Sequence, residues 1–435
     1  MRPPGSKPLF ICHAKQLLTM AGLPAPRRGE GLRHLGLIAD GAVLIDGAKI
    51  RAVGGTAELA GEARRLKARE MDCRGRVVMP GFVDSHTHLV FAGNRLDDFE
   101  RRIEGRSYEE IAGAGGGIQS SARRLANASV PSLIRQASRF LDQFAQHGTT
   151  TLEVKTGYGL SAAGELKMLE VIRLLRKAAP LELVPTLLAA HALPPGYTQK
   201  RHEYLRLVVT RLIPVAARKK LAEFVDAFCD RGAFSVAECR RVLKAGQRSG
   251  LTPRIHAEQL RRTGAARLAI ELGAASADHL DKLSARDLRA LARSSVVATL
   301  LPGANFHLGL ERYPPARRLI DEGAAVALAT DFNPGTSPTV NMQFILALAC
   351  SAMRMTPAEA VTAATLNAAW ALRRADRLGS LEPGKQADLA IMEVDDYREI
   401  PYYFAVNHCV MTVKHGRVIY RRSSNPGPRH GGPDL

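Results

Sequence analysis

Met79-Pro80-Gly81-Phe82-Val83-Asp84-Ser85-His86-Thr87-His88 decides how the rest of this 435-residue chain is read. The apolar run over 77–83 predicts a buried strand, and two histidines at i and i+2 follow it. Alternate side chains on a strand point the same way. His86 and His88 can therefore bind one ion together where the strand runs out into a loop. A strand tip with paired imidazoles is a common start to a hydrolytic metal site. With 13 histidines in the chain an HxH also arises by chance, so the other strand ends have to decide.

Working outward, apolar strand candidates recur at 149–154, 181–190, 224–228, 253–255, 274–277, 296–301 and 326–329, making eight with the first. Amphipathic stretches such as 162–178, 236–249 and 259–272 separate them as helices. Eight strand–helix units of this length predict an α/β fold, a (β/α)8 TIM barrel whose active site lies at the C-terminal strand ends. Residues able to titrate or bind metal stand at seven of those eight ends: His86 and His88, Lys155, His191, Asp226 with Asp230, His256, Asp278-His279, and Asp331.

Short strand-like runs with turn signals fill residues 8 to about 70, and matching runs return at 387–392 and 410–420. This predicts a small β-sandwich domain built from both chain ends, 1–72 and 381–422, with the barrel at 73–380 between them. The Ser-, Asn-, Pro- and Gly-containing tail at 423–435 is expected to be disordered.

Composition narrows the class. An apolar content of 46% and a charged content of 24% are those of a globular protein. No apolar stretch reaches the ~18 residues of a membrane span, and the apolar run at 8–12 is too short for a secretory core. The expected location is the cytoplasm. The formal charge of +19 is spread along the chain without an aromatic-interleaved basic stripe, so nucleic acid is not the expected partner. The charge reads instead as an arginine-favouring composition on solvated faces, with some benefit for an anionic small-molecule substrate. The six cysteines include no CxxC pair and read as reduced, mostly buried thiols.

A hydrolytic centre needs about three protein ligands and an open position for water. His86, His88, His256 and Asp331 supply four and leave a fifth position. Taken singly, His256 could be an ordinary strand-end imidazole and Asp331 a turn cap. Together, in strand order, they read as a metal site. The ligand set suits zinc, with iron feasible. Lys155 could be the carbamylated bridge of a two-metal hydrolase, but it stands on strand two, followed by a Tyr and two Gly. A structural or substrate-side role, and one ion, is the expectation.

The order HxH, strand-five His and strand-eight Asp inside a barrel flanked by a split β domain resembles the amidohydrolase superfamily. Within it the resemblance is closest to the imidazolonepropionases, enzymes of histidine degradation. It is carried by PGFVDSHTHLVFAGNR at 80–95, SYEEIAGAGGGI at 107–118, EVKTGYGL at 153–160, AHALP at 190–194, DAFCDRGAF at 226–234, IHAEQ at 255–259, ADHL at 277–280, LLPGANF at 300–306 and ATDFNPGTS at 329–337. The resemblance implies hydrolysis of the cyclic amide of 4-imidazolone-5-propanoate to N-formimidoyl-L-glutamate by a metal-dependent enzyme, with a homodimer as the family pattern. It also implies that Arg95, Tyr158, Asn333, Gly335 and Thr336 contact substrate. Gln259 stands where many relatives carry Glu. An amide can hold a ring nitrogen but cannot act as a base, which moves that role to His279, with Asp331 able to shuttle protons. His191 is placed to polarise the carbonyl or hold its oxyanion. The rival readings are a sister deaminase acting on a nucleobase or guanidino compound, a barrel retained only as an assembly scaffold, and a nucleic-acid binder. The first lacks the Tyr158, His191 and Asn333–Thr336 set, and the second would have lost ligands.

Overall fold

The computed structural model describes residues 7–106 and 108–423. Eight of its strands, numbered β1 to β8 here, are Phe82–Asp84, Thr149–Lys155, Glu182–Ala190, Phe224–Cys229, Ile255–Ala257, Ser276–His279, Val297–Leu300 and Val326–Leu328. Each pairs in parallel with the next in chain order. Beyond the tips of β1 and β8 the seam is drawn together: Thr87 bridges Phe332, and the His88 N–H donates to Phe332 O at 2.8 Å. The expected parallel barrel is present. Its seam is joined by the same two segments that carry His86, His88 and Asp331.

Local chemistry explains the units. The helix Val130–Gln146 starts at Ser129, whose side chain accepts from Ser132 N–H, with a proline in its first turn. It buries Leu133, Ala137, Leu141 and Phe144, a stripe at helical spacing. The helix Val236–Arg248 opens with a reciprocal Ser235–Glu238 capping box. The helix expected over 259–272 begins only at Ala265, which leaves Gln259 on a loop. Glu258 causes the delay. At φ +56° its carboxylate accepts from the N–H groups of Thr263, Gly264 and Ala266, holding the segment in a turn that hydrophobic periodicity does not record.

The apolar run at 77–83 is not one barrel strand. Val77–Pro80 pairs antiparallel with Leu389–Met392 and parallel with Leu9–Leu18, in a second sheet. Gly81 is the crossing point: its N–H donates to Asp388 O, and the next amide, Phe82, donates to Gly148 O beside the barrel. A Cβ on Gly81 would run into the Thr150 side chain, which is why the chain needs glycine there. The second sheet runs Arg417–Arg421, Cys409–Lys414, Leu389–Met392, Val77–Pro80, Leu9–Leu18, Leu37–Asp46 and Lys49–Gly55, with Arg69–Asp72 also on Leu9–Leu18. Hydrogen bonds link strands from both chain ends, with a bulge between Ile11 and Ala14. One apolar cluster includes Ile11, Leu17, Val43, Val78, Leu389 and Val413, and a second (Phe10, Cys12, Leu44) includes Ala63 of the helix Thr56–Arg65. The tail expected to be disordered lies outside the described residues except for Ser423. No described helix is long and apolar enough to cross a membrane. All six cysteines are free, and only Cys350 is not buried.

Candidate metal centre and substrate cavity

The barrel brings His86, His88 and Asp331 together, and His86, His256 and His279 together, each set with ligand atoms within 4.8 Å of one another. His86 belongs to both. Its Nε2 lies 3.4 Å from Asp331 Oδ1, and His88 Nε2 lies 3.7 Å from the same oxygen. The rings of His86 and His256 are 4.5 Å apart, centre to centre, and those of His256 and His279 are 5.3 Å apart. Nε2 of His86, Nδ1 of His88 and both ring nitrogens of His256 are buried without a hydrogen-bond partner. Such groups are costly unless something coordinates them. Burial, then the positive charge of Lys155, holds His86 well below its ordinary pKa. Burial likewise dominates at His88 and His279, so all three are neutral, the form that binds metal. Burial pushes the Asp331 carboxyl well above the usual carboxylate range against the pull of Lys155, and a cation alongside reverses that push. The donor set, three imidazoles and a carboxylate with unsatisfied lone pairs, fits a transition-metal ion.

Backbone geometry aims these groups. His279 and Asp331 sit at φ +77° and +54°, in the left-handed region that non-glycine residues seldom occupy. Asp84 ties the tip of β1 to the exit of β8, accepting from Thr330 N–H at 3.1 Å and from Thr330 Oγ1 at 2.5 Å.

Beneath the cluster lies a charged layer that sequence reading caught only in pieces. Glu153, Lys155, Asp226, Arg254 and Asp278 are all 0% exposed. Asp278 Oδ2 is 2.7 Å from His86 Nδ1 and orients that imidazole from behind, while Asp226 Oδ2 lies 3.0 Å from His256 Nδ1 without hydrogen-bond geometry. Lys155 Nζ donates to Asp226 Oδ2 at 2.7 Å and to Glu153 Oε1 at 2.8 Å. Arg254 donates to Ser85 O at 2.7 Å and to Asp278 Oδ2 at 3.2 Å. Burial alone would lower the Lys155 pKa, but Asp226 and Glu153 carry it upward. A carbamate on Lys155 would set an anion against two carboxylates, so the bridging role does not fit. Nor does Lys155 reach the substrate side. The missed signal was a charge inside otherwise apolar strands, at Glu153 and at Arg254.

Above the cluster opens a cavity lined by His88, Arg95, Tyr158, His191, Gln259, His279, Asp331, Asn333, Gly335 and Thr336 among others. Every expected site residue is therefore at the cluster or on this wall, although not all are poised as expected. His191 stacks on His88 with ring centres 5.1 Å apart, and its Nδ1 donates to Gly157 O at 3.0 Å. Gly157, at φ +113°, leaves room for it; a Cβ would stand 2.7 Å from Nδ1. Burial, then His256, lowers the His191 pKa to about 3. A neutral ring protonated on Nδ1 presents Nε2 as an acceptor, whereas holding an oxyanion needs a donor. Asn333 folds its own loop: Oδ1 accepts from the N–H groups of Gly335 and Thr336 at 2.8 and 2.7 Å, and Nδ2 donates to Asp331 O at 2.6 Å. Its contribution is to shape the wall. The Arg95 guanidinium lies 5.7 Å over the Tyr158 ring.

A parallel barrel with a buried histidine–aspartate cluster at its C-terminal strand ends defines a class of metal-dependent hydrolases. The family model for the amidohydrolase family matches residues 77–419, and the chain belongs to that family. Among curated relatives, the imidazolonepropionase of Geobacillus kaustophilus (strain HTA426) is 48% identical over 416 residues, covering 95% of this chain and 98% of the relative. That of Solibacter usitatus (strain Ellin6076) is 47% identical over 418 residues, covering 95% and 99%. The chain groups with the imidazolonepropionases. Solved structures share the fold: E. coli guanine deaminase has a TM-score of 0.71 at 16% identity, covering 96% of this chain and 100% of that one. A mutant atrazine chlorohydrolase from Arthrobacter aurescens TC1, complexed with zinc and atraton, has a TM-score of 0.70 at 17% identity, covering 95% of each chain.

Proposed function

We propose that this chain is the hydrolase that opens 4-imidazolone-5-propanoate to N-formimidoyl-L-glutamate in histidine degradation. One observation carries the reading: across 95% of its length the chain is 48% identical to an imidazolonepropionase, and its cavity runs from a buried His/Asp cluster to an arginine. His86, His88, His256 and Asp331 would hold a single ion, zinc or iron. Such an ion supplies Lewis-acid activation of a water. The remaining work falls to side chains. His279, at the cavity wall, takes a proton from the attacking water, and Asp331 can pass it on. The water oxygen joins the ring carbonyl carbon, the amide-like C–N bond breaks, and the departing ring nitrogen takes up a proton. Tyr158 and Gln259 hold the ring, and His191 accepts a hydrogen bond through Nε2. Arg95 pairs with the carboxylate tail. On the family resemblance the enzyme is a homodimer, and the sequence composition makes the cytoplasm its expected place.

The test is metal analysis of purified protein together with an ultraviolet assay of imidazolone loss. The expected result is near one ion per chain and consumption of 4-imidazolone-5-propanoate, with both ion and activity lost in His88→Ala. Two ions per chain would overturn the mononuclear site. Deamination of a nucleobase or guanidino compound without imidazolone loss would replace the activity.

A further inference from the structure

Arg95 is the N-cap of the helix Leu96–Ile103, and Arg95, Asp98 and Arg102 all line the cavity from its one face, at i, i+3 and i+7. Both guanidiniums converge on one residue of the loop after β8. Arg102 Nη1 donates to Gly335 O at 3.0 Å, and Arg95 Nη1 packs so tightly on Gly335 that a Cβ would run into it. Each arginine is braced from behind. Arg95 Nε donates to Ser121 Oγ at 2.9 Å. Arg102 Nη2 meets His307 Nε2 at 3.0 Å, and the His307 ring stacks on Phe99 with centres 5.2 Å apart. Burial, then the charge of Arg102, lowers the His307 pKa, so His307 is a neutral acceptor and adds no charge of its own. Asp98 is the carboxylate beside the pair, and its Oδ2 accepts from Gly117 N–H at 2.8 Å.

Two guanidiniums against one carboxylate leave this end of the cavity positive, with like charges held side by side. Like charges at such range repel, and a bound anion turns the repulsion into attraction. The Arg102 Nε is also without a hydrogen-bond partner. The pair connects to the metal cluster through an aromatic step: Arg95 lies 5.7 Å over the Tyr158 ring, which is centred 5.7 Å from His88. A ligand with a flat ring at His88 and an anionic tail would span that distance.

We infer that Arg102 is a second carboxylate-reading residue, acting with Arg95, and that the pair makes the enzyme select substrates with an anionic tail. The inference rests on the substrate reading above and extends it to a residue outside the resembling motifs. It is tested by comparing wild-type enzyme with Arg102→Met, Arg102→Gln and Arg102→Lys on two compounds, 4-imidazolone-5-propanoate and its uncharged propanamide counterpart. The readout is the ratio of kcat/KM for the acid to that for the amide. The ratio should fall roughly tenfold or more in the Met and Gln variants, mainly through KM for the acid, and recover in part in the Lys variant. A residue that only braces the Gly335 loop would slow both compounds equally. An unchanged ratio in all three variants, with or without such slowing, overturns the inference. A wild-type enzyme idle on both compounds would overturn the substrate reading instead.

Discussion

At the scale of single residues, His279 carries the most distinctive prediction. It lies within ligand distance of His86 and His256, at a left-handed φ of +77° on the last residue of β6. A proton acceptor and a metal ligand would both stand there, and a substitution separates them. Asparagine tolerates the left-handed backbone better than alanine does, so His279→Asn tests chemistry rather than strain. The variant should keep its ion while turnover falls by roughly two to four powers of ten. Loss of the ion along with turnover, measured by metal analysis, would make His279 a ligand. Residues of this kind were legible in the sequence because their chemistry is: an HxH, a strand-end His and a strand-end Asp have few other uses in combination. The roles of His191 and Asn333 were not, because a tautomer and a loop turn depend on backbone groups such as Gly157 O, which only the fold brings near.

At the scale of elements, β2 repays attention. Glu153 and Lys155, two residues apart, share one strand face, and that face points into the barrel, where Asp226 of β4 and Asp278 of β6 meet them. Removing one partner of a buried ion pair leaves an uncompensated charge, typically at a cost of about 3–5 kcal/mol. Lys155→Met should therefore lower unfolding stability by about that amount, read from urea denaturation of the metal-stripped protein so that ion loss does not contribute. A change below about 1 kcal/mol would mean the layer is wetter than its burial implies. Strand periodicity located β2 and β4, but the run at 77–83 misled because apolar residues continue straight through a change of sheet. The crossing shows only in the backbone partners, which switch from Asp388 O at Gly81 to Gly148 O at Phe82.

At the scale of the whole molecule, three of the four proposed ligands come from the two sides of the barrel's seam: His86 and His88 follow β1, and Asp331 follows β8, where Asp331 N–H also donates to His86 O at 3.0 Å, while His256 comes from β5. An ion held there joins the first strand to the last and binds only the folded chain. Stripping it with a chelator should lower unfolding stability by about 4 kcal/mol relative to protein at a thousandfold excess of free ion over Kd. Denaturant midpoints with and without restored zinc measure the effect, and coincident midpoints would place the ligands elsewhere. The sequence by itself determined the barrel, its strand order, the two-ended β sheet and the metal-type residues at the strand tips. Those follow from local periodicity and residue chemistry, which need no knowledge of distant neighbours. The tertiary structure alone decided the charged layer beneath the histidines, the paired arginines at Gly335 and the tautomer of His191. Each is a balance of burial against charge or hydrogen bonding between segments far apart in the chain, and that balance exists only once the barrel has closed.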